Sequence, residues 1–309
     1  MLSILAITAP IFILIAIGFV SSRAALVSRD QVAGMGRFVI TLALPALVIR
    51  ALLERPLHEV IHWNYLIGYG LGSLLIFGLG YAFARLVRKD NLSGSALAGL
   101  GMSVSNSGFV GYPIVVLVVG GPAAVALALG MMIENALLIP LALTLAELGQ
   151  QNGGNVGTAL LGTLRNLVRH PVLIAIVLAL LMATLDVRPP TFVMRAIDML
   201  AQASAPVALF VIGASLNGLK PGGMALDVGQ LLIGKLILHP LLVWLCFSLL
   251  PISDPALRTA GVLMAAAPMM SIYPILGARY GLEQRCAAGL VAATVMSFLS
   301  ISAFVWLMA

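Results

Sequence analysis

Charged residues are scarce in this sequence, making up only 9% of its 309 residues. A soluble domain carries about 25%, and a soluble fold of this length could not cover its surface with so few. Apolar residues reach 61%, and the mean hydropathy is +1.11. The apolar runs are about 20 residues long, which is the length that crosses roughly 30 Å of hydrocarbon. The chain is therefore predicted to be an all-α polytopic membrane protein.

Enzyme motifs are also lacking. The sequence contains no HExxH, no GxSxG and no acidic metal cluster, so we expect no catalysis, no metal and no other cofactor. Its two cysteines, Cys246 and Cys286, lie in or beside apolar runs and indicate no disulfide framework. The net charge of +6 does not indicate a nucleic-acid partner, because the basic residues lie in short loops, where they orient a membrane protein in the lipid bilayer.

Charged residues and Gly/Pro clusters divide the apolar chain into ten predicted spans. A linker rich in Gly, Asn and Gln, residues 147–168, separates a first five-helix repeat, 1–146, from a second, 169–309. The spans are predicted at about 2–20, 31–53, 63–85, 95–118, 121–146, 169–186, 193–217, 227–250, 256–277 and 284–308.

Lysine and arginine set the predicted orientation. The loops after the odd-numbered spans carry more of them than the loops on the other side, which places the odd-numbered loops and the linker in the cytoplasm. Both termini are then extracytoplasmic, in the cytoplasmic (inner) membrane. The richer side holds Arg23, Arg29, Arg37, Arg85, Arg88, Lys89, Arg165, Arg169, Lys220, Arg279 and Arg285, and the other holds Arg50, Arg55, Arg188, Arg195 and Arg258.

Three prolines repeat at one fixed offset. Pro10, Pro45 and Pro113 recur 161 residues later as Pro171, Pro206 and Pro274, and the flanking pairs Tyr112/Tyr273 and Gly120/Gly281 share that offset. Because each repeat has an odd number of spans, the second must enter the membrane from the opposite face. An inverted repeat with matched helix interruptions is typical of secondary transporters.

The stretch SNSGFVGYPIVV, residues 105–116, interrupts the apolar fourth span, and APMMSIYP, residues 267–274, interrupts the ninth. Proline removes a backbone N–H and clashes with the carbonyl four residues back. Irregular backbone at membrane depth is tolerated only when it is buried in protein or lines a wet cavity. We expect the two stretches to cross near the bilayer centre, where helix N-termini following Pro113 and Pro274 favour an anion. A kink used only for packing is the alternative.

Several motifs resemble the auxin efflux carrier family over nearly the whole chain, above all in spans 4, 7 and 9. They include LALPALVIRALL (42–53), SNSGFVGYPIVV, IENALLIPLAL (133–143), APVALFVIGASL (205–216) and AAAPMMSIYPILGARYG (265–281). Bacterial members include malonate and malate carriers, and plant members export auxin. The resemblance implies a fold like that of sodium–bile acid symporters and sodium–proton antiporters. Spans 1, 2, 6 and 7 would form a scaffold and the homodimer contact, and spans 3–5 and 8–10 a mobile transport domain with crossover helices 4 and 9.

The candidate substrate ligands lie mostly in the interrupted stretches. Two interpretations of Lys235 stand: it faces an anionic substrate, or its ammonium reaches the cytoplasmic interface. Tyr112 and Tyr273 either line the cavity or cap the breaks. Asn135 occupies the place of an asparagine in the family motif. The predicted substrate-binding residues are Ser105, Asn106, Ser107, Tyr112, Pro113, Asn135, Lys235, Met270, Ser271, Tyr273 and Pro274.

Glu134 lies deep inside span 5, where an ionisable group is costly and usually functional. It is the candidate for proton or sodium coupling, and a neutral carboxylic acid with a structural role is the alternative. His239, before Pro240 in span 8, is interpreted as a packing residue.

These features predict a secondary active transporter of a small organic anion that works by alternating access. A cation antiporter of the same fold is the first alternative, although the interrupted stretches contain no Asp or Glu. A channel or a transport-like sensor is the second.

Overall fold

A computed structural model describes residues 2–53, 62–149, 169, 171–215, 217, 225–252 and 254–308, and within these ranges the regular structure is helical. The predicted linker lies outside the described residues, except for its first three positions. We number the helices α1 to α10. They are α1 Leu2–Arg23, α2 Arg29–Leu53, α3 Trp63–Leu86, α4a Leu92–Ser103, α4b Ser107–Val119, α5 Pro122–Gly149, α6 Pro171–Thr184, α7 Thr191–Ser215, α8 Leu226–Ser248, α9a Pro255–Ala266, α9b Tyr273–Ala278 and α10 Glu283–Met308.

Six of these helices are long and apolar enough to cross a membrane: α2, α3, α5, α7, α8 and α10. α4b and α6 are shorter apolar helices, and so is the part of α1 from Ile13 to Arg23. The chain is therefore a multi-pass membrane protein. The inverted repeat of ten spans stays a prediction, although its two matched glycines occupy matching places. Gly120 (φ +67°) follows α4b and Gly281 (φ +72°) follows α9b, and both adopt a positive φ that side chains disfavour.

α4 and α9 are interrupted close to the predicted positions. α4a ends at Ser103, and Val104 is extended; α9a ends at Ala266, and Ala267 is extended. Pro274 takes the second position of α9b, as expected for a helix start. In span 4 the second half starts earlier than Pro113 predicts, because a π-helical turn over Ser107–Gly111 precedes it. The N-terminus that faces the break is therefore that of Ser107.

Four π-helical turns occur in the described residues, and each ends two residues before a proline. The carbonyl four residues before each proline belongs to the third residue of the turn, so the wider turn relieves the clash that the ring would cause there. The turns are Val39–Ala43 before Pro45, Ser107–Gly111 before Pro113, Glu134–Leu138 before Pro140 and Gly234–Leu238 before Pro240. Glu134 and Lys235 both lie in such turns, where the helix backbone is least regular.

The helices pack in two groups. α1 and α2 pack on α7, and α2 also packs on α6; α3, α4a, α5, α8, α9a and α10 pack on one another. These groups have the membership predicted for scaffold and transport domain, but packing does not reveal motion, so that assignment stays a prediction. At one end of the second group, Arg88 and Arg285 each bridge Asp90 and Asp227, which ties the α3–α4 connection to the first turns of α8 and α10.

α1 and α7 approach each other through glycines. A Cβ at Gly18 would meet the carbonyl of Phe210, and a Cβ at Gly213 would meet the carbonyl of Ile15. Small residues at such positions let helix backbones come close in a bilayer, where packing drives association.

Gly213→Ala should therefore lower the thermal unfolding temperature, because the new methyl group collides with backbone rather than with a side chain that could move. Overpacking of this kind costs about 1–3 kcal/mol. Gly78→Ala in α3 is the matched control, since nothing lies within 4 Å of its added Cβ, and alanine is there the better helix former. Equal effects in the two variants, measured by thermal unfolding in detergent, would contradict this account of α1–α7 packing.

Candidate functional site

The two interrupted helices meet at their breaks. Ser105 and Met269 form an antiparallel bridge, and the backbone N–H of Asn106 donates to the carbonyl of Pro268 at 2.7 Å. The side-chain amide of Asn106 donates to Ser271 Oγ at 2.7 Å. Each break thus supplies hydrogen-bond partners for the other, as non-helical backbone at membrane depth requires. We call these residues, 104–106 and 267–272, the crossover.

The Glu134 carboxylate lies beside the crossover, and its side chain is 3% exposed. Oε1 accepts hydrogen bonds from the Ser105 backbone N–H and the Tyr69 hydroxyl, both at 3.0 Å. The Ser107 hydroxyl is 3.2 Å from both carboxylate oxygens. Because Ser107 begins α4b, the carboxylate also faces the positive end of a helix, which stabilises a negative charge.

Lys235 is fully buried on the other side of Ser105. Its ammonium donates to Ser105 Oγ at 2.6 Å and to the carbonyl of Ala265 at 2.9 Å, and it lies 2.8 Å from His239 Nδ1. Ala265 belongs to the last turn of α9a, whose negative end favours a cation. The amine therefore lies at the crossover. It does not reach the cytoplasmic interface, which was the alternative interpretation.

His239 continues this chain of contacts. Its Nε2 is 2.9 Å from Ser73 Oγ in α3. A charged ammonium has no lone pair, so Nδ1 accepts from it, and Nε2 carries the proton and donates to Ser73. A continuous polar network thus runs from Tyr69 through Glu134, Ser105, Lys235 and His239 to Ser73, inside helices that are otherwise apolar.

A cavity of about 750 Å³ leads to the crossover. Arg29 and Arg37 of α2 line it and are exposed, whereas Glu134 and part of the crossover, residues 104–106 and 270–272, line its inner end. Among the described residues, the lining of the cavity carries two cations against one carboxylate, and this balance favours an anion. Of the predicted site residues, the cavity collects Ser105, Asn106, Ser107, Glu134, Asn135, Met270 and Ser271.

The remaining predicted residues do not line this cavity. Tyr112 is buried at the end of the π-helical turn of α4, beside Pro113. The Tyr273 hydroxyl donates to the carbonyl of Leu97 at 2.9 Å, which joins α9b to α4a, and Pro274 follows it. Lys235 contacts Ser105 and Ala265 but does not line the cavity. These residues support the cavity floor in this conformation.

Some residues of the site were not among the sequence predictions. Tyr69 and Ser73 give no local signal, since their partners are far away in the chain, and the sequence predicts only a packing role for His239. For Arg29 and Arg37 the sequence predicts only a role as loop charges. Their spacing of eight residues is a helical spacing that puts both on one face, and Ser28 caps the helix that carries them through a capping box with Gln31.

A polytopic helix bundle in which two interrupted helices meet at the end of a cavity, with polar side chains at the breaks, is the architecture of a membrane transport protein. Among the described residues, no cluster of His, Cys, Asp or Glu could hold a metal ion. Comparison with known proteins gives the same class: residues 3–307 match the family described as "Membrane transport protein". The chain belongs to this family, which is the auxin efflux carrier family that the motifs resemble.

Similar proteins support this membership. The chain is 28% identical over 300 residues to the "Putative malonate transporter" of Rhizobium meliloti (strain 1021), covering 96% of this chain and 93% of that one. It is 25% identical over 309 residues to the "Uncharacterized transporter YfdV" of Escherichia coli (strain K12), covering 96% and 95%. It is 24% identical over 315 residues to the "Lysosomal cholesterol signaling protein" of Mus musculus, covering 94% of this chain but 36% of the mouse protein.

The cavity predicts a pattern of thiol accessibility. A cysteine at Ser271, which is exposed in the cavity, should react with an impermeant methanethiosulfonate reagent, and from the cytoplasmic side if the predicted orientation holds. Ala266→Cys is the control, because Ala266 is fully buried, and the natural Cys246 and Cys286 are both buried. The measurement is labelling in right-side-out and inside-out vesicles. Ser271→Cys that reacts from neither side would contradict the cavity, and reaction only from outside would contradict the orientation.

Proposed function

We propose that this protein is a secondary active transporter that moves a small organic anion across the cytoplasmic membrane by alternating access. The observation that carries the proposal is the cavity, which has two exposed arginines in its lining and, at the crossover, a hydrogen-bonding surface where the charges of Glu134 and Lys235 offset each other. Its volume of about 750 Å³ lies within the roughly 300–1,000 Å³ of small-molecule sites.

The charges at the cavity floor support an anion held by dipoles. Glu134 and Lys235 lie on either side of Ser105 and offset each other, so the floor itself contributes little net charge. What it offers an anion is the amide groups of Asn106 and Asn135 and the Ser271 hydroxyl, because the N-terminal end of α4b already faces Glu134. The positive charge of the cavity comes from Arg29 and Arg37, which raise the local anion concentration.

The relatives suggest which anion to test first. The rhizobial relative is named for malonate, a three-carbon dicarboxylate, and malonate is therefore the first substrate to test here. An auxin-like monocarboxylate is the second, because the family resemblance extends to auxin exporters.

Alternating access would move the second packing group against the first. α1, α2, α6 and α7 would form the scaffold and the contact of a homodimer, while α3–α5 and α8–α10 would carry the crossover. The cavity is bounded by both groups, since Arg37 belongs to α2 and Asn106 and Ser271 to the crossover. Movement between the groups would therefore open and close it.

Counterflow is the test that separates a carrier from a channel. Proteoliposomes loaded with unlabelled malonate should accumulate external radiolabelled malonate transiently, because only a carrier exchanges one bound substrate for another. Asn106→Ala should weaken binding by about 1–3 kcal/mol, since it removes a hydrogen-bonding group at the floor. Ser103→Ala is the matched control, because Ser103 is a buried polar residue in the same span that does not line the cavity. Absence of counterflow with every carboxylate tried contradicts a carrier of this class, and unchanged affinity in Asn106→Ala contradicts this site.

Coupling to an ion is proposed to run through Glu134, because it is the carboxylate that lines the cavity floor. Glu134→Gln should keep substrate binding and abolish any pH or sodium dependence of uptake. Glutamine retains one acceptor for Ser105 and Tyr69 and can donate to Ser107, but it cannot ionise. Tyr69→Phe is the control, since it removes one hydrogen bond and leaves the carboxylate. Uptake is measured with imposed pH, sodium and voltage gradients, and full ion dependence in Glu134→Gln contradicts this role.

A further inference from the structure

We propose that the Lys235 ammonium is a built-in cation: it occupies the place at the crossover where an inorganic cation would otherwise bind, so that the wild-type protein binds no sodium there. This inference rests on the proposed function only where it concerns ion coupling. If no sodium binds at the crossover, sodium is not coupled to transport there, and the proton remains as the coupling candidate.

The contacts of the amine are those of a coordinated cation. Its three N–H groups have three partners, namely Ser105 Oγ at 2.6 Å, the Ala265 carbonyl at 2.9 Å and His239 Nδ1 at 2.8 Å. Unwound backbone and carbonyls at half-helix C-terminal ends are the groups that hold coupling cations in transporters built on broken helices. Here, Ser105 belongs to one break, and Ala265 lies in the last turn of the helix before the other.

The charge that calls for a cation is Glu134. Ser105 bridges the carboxylate and the amine, because its N–H donates to Glu134 Oε1 at 3.0 Å and its Oγ accepts from Lys235. Both charged side chains are buried, at 3% and 0% exposure. An isolated buried charge is costly, so removal of the amine leaves a carboxylate, a carbonyl and a hydroxyl without their cation.

The fixed position of the amine favours this function over a substrate contact. Lys235 does not line the cavity, while Glu134 and Ser105 do. The amine contacts His239, and the other ring nitrogen of His239 contacts Ser73. A substrate anion in the cavity would meet the Ser105 side of the network first.

The test is cation rescue of Lys235→Ala, measured as the thermal unfolding temperature of the purified protein without any transport substrate. Ammonium and methylammonium should raise the unfolding temperature of Lys235→Ala progressively with concentration, as a ligand that binds the folded state does, and sodium should do so as well. Tetramethylammonium, which has no N–H group and is too large, should not. The unfolding temperature of the wild type should be the same in sodium as in choline.

Three further variants isolate the cause. Lys235→Ala/Glu134→Gln removes the carboxylate and should lose the response. Lys235→Met fills the space of the side chain without its charge and should show a weaker response than Lys235→Ala. Arg88→Ala removes a cation that pairs with Asp90 and Asp227, away from the crossover. Its unfolding temperature should respond equally to ammonium and to tetramethylammonium.

Sodium-specific stabilisation of the wild type would overturn the proposal, and so would a folded Lys235→Ala that responds to neither ammonium nor sodium. If Lys235→Ala does not purify in choline, it is purified in ammonium. Recovery there and in the double variant supports a required cation, and recovery only in the double variant overturns the proposal. Because no substrate is used, these outcomes are independent of whether counterflow is observed.

Discussion

The contact between the two interrupted helices is the constraint on which the rest of the site depends. A break at membrane depth leaves N–H and carbonyl groups without intrahelical partners, and lipid cannot replace those partners. The N–H of Asn106 is satisfied by the Pro268 carbonyl, and the Asn106 amide by Ser271. Neither break would be stable alone, so the two halves of the chain must fold together before either span 4 or span 9 is satisfied.

The same breaks determine where the buried charges can lie. Glu134 faces the first residue of α4b, and Lys235 faces the last turn of α9a. Each charge therefore meets the helix end of opposite sign, and each is within one hydrogen bond of Ser105. The prolines contribute in a second way. Pro140 and Pro240 widen the preceding helical turns, and those are the turns that contain Glu134 and Lys235.

The positions of the helices and of the breaks could be predicted from the sequence because both give local signals: apolar length, charge at the ends, and Pro and Gly in the middle. The network was less predictable. Tyr69 and Glu134 are 65 residues apart, and Ser73 and His239 are 166 apart, so no periodicity within a span relates them. Lys235 illustrates the difference. The sequence shows a lysine inside a span, but whether its amine faces a cavity, an interface or a carboxylate depends on helices from distant parts of the chain.

The start of α4b shows how a local rule was overridden. Proline favours the first turn of a helix, so Pro113 predicts a helix that begins near it, yet the second half of span 4 begins at Ser107. A π-helical turn accommodates the proline ring and allows the helix to extend back to the crossover. This shift places Ser107, rather than Tyr112, at the positive helix end. It is why Ser107 reaches both the Glu134 carboxylate and the cavity, while Tyr112 and Pro113 remain in the packed wall. A substrate anion therefore meets a helix end whose nearest charge is already a carboxylate, and the arginines of α2 supply the attraction that the crossover itself does not.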